Sequence, residues 1–204
     1  MKKVLLKVLG ISLIGLTMFG CNGNENKTTT IQESLSKIEQ KDKTKVKLVE
    51  FLDPECPACA PFHQYLKRHI DEKYVDIQYK YLEIHANSKL LIHILEASKK
   101  QGKYKELLDY IYSNQEKFTD YRTKDNIKIW NFISENNMNL DISKLKLDMK
   151  DIDIDLILKK DFDDAKNLKV EGTPTLFING IIQNNKSIGE IMDEIDLSIA
   201  KVKE

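Results

Sequence analysis

Cys56 and Cys59, two of the chain's three cysteines, are separated by two residues in the run Cys56-Pro57-Ala58-Cys59. A thiol attacks only as its thiolate, and a cysteine at a helix N-terminus is held in that form by unpaired backbone N–H groups and the helix dipole. Cys56 takes that place, ahead of a helical pattern through Phe62, Leu66 and Ile70. Pro57 suits the first helical position, where its missing N–H costs nothing. Pro61 lies further in and is expected to kink the helix. Cys59, one turn along, points back to the same end and should be less exposed. This arrangement makes Cys56 the nucleophile and Cys59 the residue that resolves a mixed disulfide. A bridge across two residues closes almost no loop, so it restricts the unfolded chain little and its purpose is chemical. Two other readings stand beside this one, half a zinc site and a coincidental pair. A zinc site needs about four ligands, and His63 is the only nearby candidate; no metal is expected.

The elements that position the pair follow from periodicity. Val46 to Leu52 reads as a strand with Val46, Leu48 and Leu52 on one face and Val49 and Phe51 on the other. Both faces are apolar, so the strand is central. Glu50 shares the face of Val46, Leu48 and Leu52 and is expected to be at least partly buried. A second strand alternates Val75, Ile77, Tyr79 and Tyr81 with Asp76, Gln78 and Lys80. From about Ser88 to Leu168 the periods are helical, as in Tyr104, Leu107, Leu108, Ile111 and Tyr112, or Ile154, Leu158, Phe162 and Ala165. Thr123 and the Asp151, Asp153, Asp155 run are plausible helix starts. Trp130 and the tyrosines of this block fall at core spacing. The strand Thr175-Leu176-Phe177-Ile178 then meets Ile181-Ile182 through Asn179-Gly180, a strong hairpin signal. Ser187 with Glu190 forms a capping box for an amphipathic final helix through Ile188, Ile191, Met192, Ile195 and Ile199.

The fold class expected is α/β, a small sandwich interrupted by a helical insert. Residues 46–86 are its first half, 87–168 the insert and 169–204 its second half. Residues 21–45 are polar and read as a tether. Residues 1–20 hold Lys2, Lys3 and Lys7, no acid, and an apolar run from Val8 to Phe19 too short to span a bilayer. They read as an export signal. Its end, Met18-Phe19-Gly20-Cys21, resembles a bacterial lipoprotein lipobox, with Met18 where Leu is usual. That resemblance implies a lipidated Cys21 and a membrane anchor; a secretory signal cut nearby is the alternative. The chain has 32 basic and 32 acidic residues over 204, so the part beyond residue 20 holds 29 against 32, a net of −3. That balance gives no electrostatic reason to expect a nucleic-acid partner.

Glu50-Phe51-Leu52-Asp53-Pro54-Glu55-Cys56-Pro57-Ala58-Cys59, followed by a helical insert and Val170-Glu171-Gly172-Thr173-Pro174-Thr175, resembles the DsbA-like branch of the thioredoxin superfamily over about residues 46–200. The resemblance implies a thioredoxin fold with an inserted helical subdomain and no cofactor beyond the Cys56–Cys59 disulfide. It implies a cis Thr173–Pro174 bond beside the sulfurs, X–Pro being the only bond that adopts cis cheaply. Pro174 would shield the sulfurs and the Thr173 backbone would pair with an extended client segment, with Pro57 and Ala58 also on the client-binding surface. A simple turn proline is the alternative. Glu50 matches the family's buried acid, a proton relay to Cys59; a surface acid, or one paired with lysine, is the other reading. Ala58 replaces a histidine of strongly oxidising members, and Glu55 brings a negative charge, so both should raise the Cys56 pKa relative to them. The implied activity is oxidation of cysteines in exported proteins by a monomer, recharged by a membrane partner of the DsbB or VKOR kind. A reductase or isomerase fed by a membrane electron donor, and a surface lipoprotein with an inert bridge acting as a binding module, are the rival functions.

Overall fold

The computed structural model describes residues 44–204 other than 121, 136 and 137. The expectations of an export signal, a lipidated Cys21 and a tether up to residue 43 fall outside these residues. Among the described residues, no helix is long and apolar enough to cross a membrane.

Four strands form one mixed sheet, β1 (Val46–Leu52), β2 (Val75–Tyr81), β3 (Thr175–Ile178) and β4 (Ile181–Ile182), in the order β2-β1-β3-β4. β1 runs parallel to β2 and antiparallel to β3. It is central because both its faces are apolar: Val46, Leu48, Val49, Phe51 and Leu52 are all fully buried. The β3–β4 turn places Asn179 at φ 48° and Gly180 at φ 86°, the left-handed pair that an Asn-Gly hairpin supplies.

α1 (Cys59–His69) and α8 (Ile188–Lys203) cover one face, where Phe62, Leu66, Ile191, Met192 and Ile195 pack on Val46, Leu48, Leu176 and Ile178. The capping box is formed in full by Ser187 and Glu190. The other face carries Val49, Phe51 and Phe177 beneath Ala165 of α7 (Ile154–Asn167). Between β2 and β3 lie α2 (Ser88–Ser98), α3 (Tyr104–Ser113), α4 (Gln115–Phe118), α5 (Asn126–Ser134), α6 (Ile142–Asp148) and α7. The insert's core is continuous with Leu52, Cys56, Cys59 and Tyr81, so it roofs the dithiol as well as packing on itself.

Several local expectations are corrected. Helix α1 begins at Cys59, with Ala58 as N-cap, and ends at His69, so Pro57 precedes it rather than opening it. Pro61 has no N–H to offer the Pro57 carbonyl, which delays the start of the ladder. Pro61 then falls in the first turn, where no intrahelical donor is required, and the helix runs on unbroken to His69. Asp125, not Thr123, caps α5 through Lys128 N; Asp153 caps α7 through Leu156 N. Phe162, at helical spacing with Ile154, Leu158 and Ala165, is 61% exposed, because α7 turns Ala165, Asp161 and Asp164 inward. Those acids receive Lys80, placed by alternation on the polar side of β2 yet buried, at 2.9 Å from Asp161 and 2.7 Å from Asp164.

Candidate active site

Cys56 lies in the turn between β1 and α1, and its carbonyl accepts from Cys59 N at 3.1 Å. Both cysteines are free thiols. Cys59, the first residue of α1, is completely buried, whereas Cys56 retains 6% exposure. The Thr173–Pro174 bond is cis. Cys56 Sγ is 3.4 Å from the Thr173 carbonyl oxygen, which brings the turn before β3 against the first sulfur.

The two thiols are electrostatically split. Cys56 is lowered to about 6, chiefly because the Cys59 thiol donates to it. Burial opposes this, and the Cys59 and Ala58 backbone N–H groups reinforce it. Cys59 moves the other way, pushed far up by burial, by donating to Cys56 and by the Cys56 charge. At about pH 7 the first sulfur is therefore mostly thiolate and the second a thiol.

Glu50 sits on β1 beneath the pair, fully buried, and neither carboxyl oxygen has a hydrogen-bond partner. Burial first, and the Cys56 charge second, push its pKa up to about 8. No lysine reaches it among the described residues: the buried lysine of β2, Lys80, is on the other face with Asp161 and Asp164.

The turn carrying Cys56 is fastened by residues that the sequence alone did not single out. Asp53, fully buried, accepts from Glu55 N at 2.8 Å, Ser88 Oγ at 2.6 Å and Ile84 N at 2.9 Å, and its Oδ2 is 3.0 Å from His85 Nδ1. Gln115 Nε2 donates to the carbonyls of Pro54 (2.9 Å) and Cys56 (3.0 Å), and the Tyr112 hydroxyl to that of Asp53 (3.2 Å). Glu55 is corrected by its surroundings. Its buried carboxyl turns away to accept from Asn87 N at 2.6 Å and Asn87 Nδ2 at 3.0 Å, and the leading influences on the Cys56 pKa come from other groups. The Asp-Pro-Glu run carried one readable signal, an Asp side chain capping the N–H two residues on. Asn87 and Gln115 come from the insert, and no local pattern links them to the turn.

Pro57 and Ala58 are exposed beside Cys56, and Thr173 and Pro174 are partly exposed opposite. His63, the nearest candidate for a zinc ligand, is held by Asp109 with Nε2 to Oδ1 at 2.6 Å. Among the described residues no group of three metal-ligating side chains comes together.

The thioredoxin family profile matches residues 41–196. A protein of Bacillus cereus named a probable disulfide bond formation protein D is 32% identical over 170 residues, covering 79% of this chain and 76% of its own length. The chain belongs to the DsbA-like branch of the thioredoxin superfamily. Its activity class is thiol–disulfide oxidoreductase. Two solved structures share the DsbA-like fold. BdbD of Bacillus subtilis superposes with a TM-score of 0.60 at 20% identity, covering 80% of this chain and 91% of that one. The alpha-DsbA1 of Wolbachia pipientis gives 0.67 at 16%, covering 83% and 98%.

Proposed function

We propose that this DsbA-like protein oxidises cysteine pairs of exported proteins outside the cytoplasm, using Cys56 and Cys59 as its only redox group. The reading rests on one arrangement above all: a low-pKa Cys56 with residual exposure, 3.4 Å from the Thr173 carbonyl, backed by a wholly buried Cys59 thiol.

In the forward reaction a client thiolate attacks Cys56 Sγ of the disulfide, and the S–S electron pair leaves on Cys59. Glu50, mostly protonated at neutral pH because its pKa is about 8, gives Cys59 its proton. A second client thiolate then attacks the client sulfur of the mixed disulfide, and Cys56 departs as a thiolate that its surroundings stabilise. Two electrons pass from the client to the protein. One client proton goes to solvent, and the other is balanced by the Cys59 thiol. Thr173, Pro174, Pro57 and Ala58 bind the client as an extended segment, the Thr173 backbone pairing with it. A membrane oxidase of the DsbB or VKOR kind restores the disulfide. The lipobox-like Met18-Phe19-Gly20-Cys21 supports a lipid tether at Cys21.

A reductase reading draws on Ala58, which offers no positive charge to the thiolate. The Cys56 value of about 6 lies above the ~3.5 of the strongly oxidising DsbA, and a less stabilised thiolate makes a weaker oxidant. Replacing Cys59 with alanine in cells and identifying the proteins caught on Cys56 separates the two. Newly exported clients support the oxidase; capture confined to other redox proteins rejects it in favour of the reductase.

A further inference from the structure

Asp53 is fully buried three residues before Cys56, and the groups set against its carboxylate are donors. Oδ1 accepts from Glu55 N at 2.8 Å and from Ser88 Oγ at 2.6 Å. Oδ2 accepts from Ile84 N at 2.9 Å and His85 N at 3.2 Å, and His85 Nδ1, 3.0 Å away, has only an acceptor to face and so carries the proton. The Asp53 backbone meets both cysteines: its carbonyl accepts from Cys56 N at 3.0 Å, and its N–H donates to the Cys59 sulfur. One residue thus joins the two sulfur-bearing positions to the stretch 84–88 that leads from β2 into α2.

Helix α2 offers this anchorage because it is not closed by a cap of its own. Asn87 is its N-cap residue, yet the Asn87 side chain makes no capping bond, and the first turn of α2 holds no acid. Asn87 N and Nδ2 donate instead to the Glu55 carboxyl, at 2.6 and 3.0 Å. The amide end of α2 therefore takes its negative partners from the Cys56 turn, Asp53 against Ser88 and the residues before it and Glu55 against Asn87. Turn and helix cap each other. The Cys56 sulfur, at the end of that turn, is met by the Cys59 thiol and by the Cys59 and Ala58 amides.

We propose that Asp53 is the positioning residue of the dithiol: by fixing residues 53–56 against the start of α2, it holds the Cys56 sulfur under its three donors. This rests on the exchange at Cys56 proposed above. The carboxylate acts through the peptide groups on either side of it, not on the sulfur. An asparagine has the same shape and cannot take its place. With Nδ2 in the position of Oδ2 it faces the Ile84 and His85 amides, and in the position of Oδ1 it faces the Glu55 amide, donor against donor in either orientation. Buried amides left without an acceptor are costly, so the turn shifts to find them one and Cys56 moves with it.

The test is the pH dependence of Cys56 alkylation in the reduced full-length protein, read by peptide mapping, with the equilibrium against glutathione, for wild type and Asp53→Asn. Sign separates positioning from charge. Removing a negative charge near a thiolate lowers the thiol pKa, whereas losing the converging donors raises it. The expected result is a Cys56 pKa about one unit above the wild-type value near 6, and at pH 7 an equilibrium moved several-fold toward the disulfide. Urea unfolding measures stability separately. A variant that is less stable yet titrates at or below the wild-type value has lost packing alone, and overturns the inference. Should Asp53→Asn not fold, Ser88→Ala decides, since it removes one uncharged donor and keeps the carboxylate: a smaller rise in the Cys56 pKa is expected, and an unmoved titration overturns the inference. A wild-type protein whose cysteine pair does not exchange with glutathione overturns the exchange itself and the inference with it.

Discussion

Replacing Glu50 with glutamine should stabilise the reduced protein by an amount that depends on pH. In the unfolded chain the carboxyl ionises near its ordinary 4.5, whereas in the native site burial and the Cys56 charge hold it at about 8. A group whose native pKa is raised contributes its stability in full below the unfolded value and loses it as pH climbs to the native one. The native state therefore pays an increasing penalty between 4.5 and about 8, reaching a plateau of about 5 kcal/mol at ~1.4 kcal/mol per pH unit. The Glu50→Gln variant has no such titration. Cys56 and all remaining groups titrate in both proteins and largely cancel in the comparison. Any fixed cost of burying the amide displaces the difference without changing its slope. Urea unfolding of both proteins, kept reduced, should give a stability gap that widens in favour of the variant by about 1.4 kcal/mol per pH unit from about pH 5 to 8 and then levels. Parallel stability curves across that range would refute the reasoning, since they require a carboxyl that ionises natively near 4.5.

Three further outcomes follow from the site and its supports. Cys59→Ala removes the largest stabiliser of the Cys56 thiolate, so the Cys56 pKa should rise from about 6 toward 9, read from the ultraviolet absorbance of the thiolate against pH. Gln115→Ala leaves the buried Pro54 carbonyl without its donor and the Cys56 carbonyl with Cys59 N alone, and should cost about 1–3 kcal/mol in urea unfolding. Lys80→Met strands Asp161 and Asp164 without their cation, and should cost about 3–5 kcal/mol near neutral pH. That loss should shrink on acidification, because burial already raises the Asp161 pKa and a protonated acid needs no cation.

Much of this site was legible in the sequence because its chemistry is local. Cys56 and Cys59 share one turn, and Glu50 betrays itself as a carboxylate on the apolar face of β1, where it proves completely buried. The Asn179-Gly180 turn and the Ser187–Glu190 box were readable for the same reason: each is a few residues whose backbone demands are met nearby. What escaped was long-range. Gln115 and Asn87 reach the Cys56 turn from 59 and 32 residues along the chain, and nothing in their neighbourhoods marks them. Lys80 alternates as a surface residue would, and only the arrival of Asp161 and Asp164 81 and 84 residues later puts it inside. Phe162 shows the opposite case, since it shares the helical spacing of Ile154, Leu158 and Ala165, which are buried, while the turn of α7 toward Lys80 leaves it outside. The Pro61 kink failed on a boundary of two residues, which moved the proline into the first turn.

The most direct test of the account is the rate of alkylation of the reduced protein as a function of pH, with the modified cysteine identified by peptide mapping. The account predicts that of the two site cysteines only Cys56 reacts, at half its maximal rate near pH 6, while Cys59 stays unmodified in the folded protein. Half-maximal reaction near 9, or equal modification of both cysteines, would contradict it.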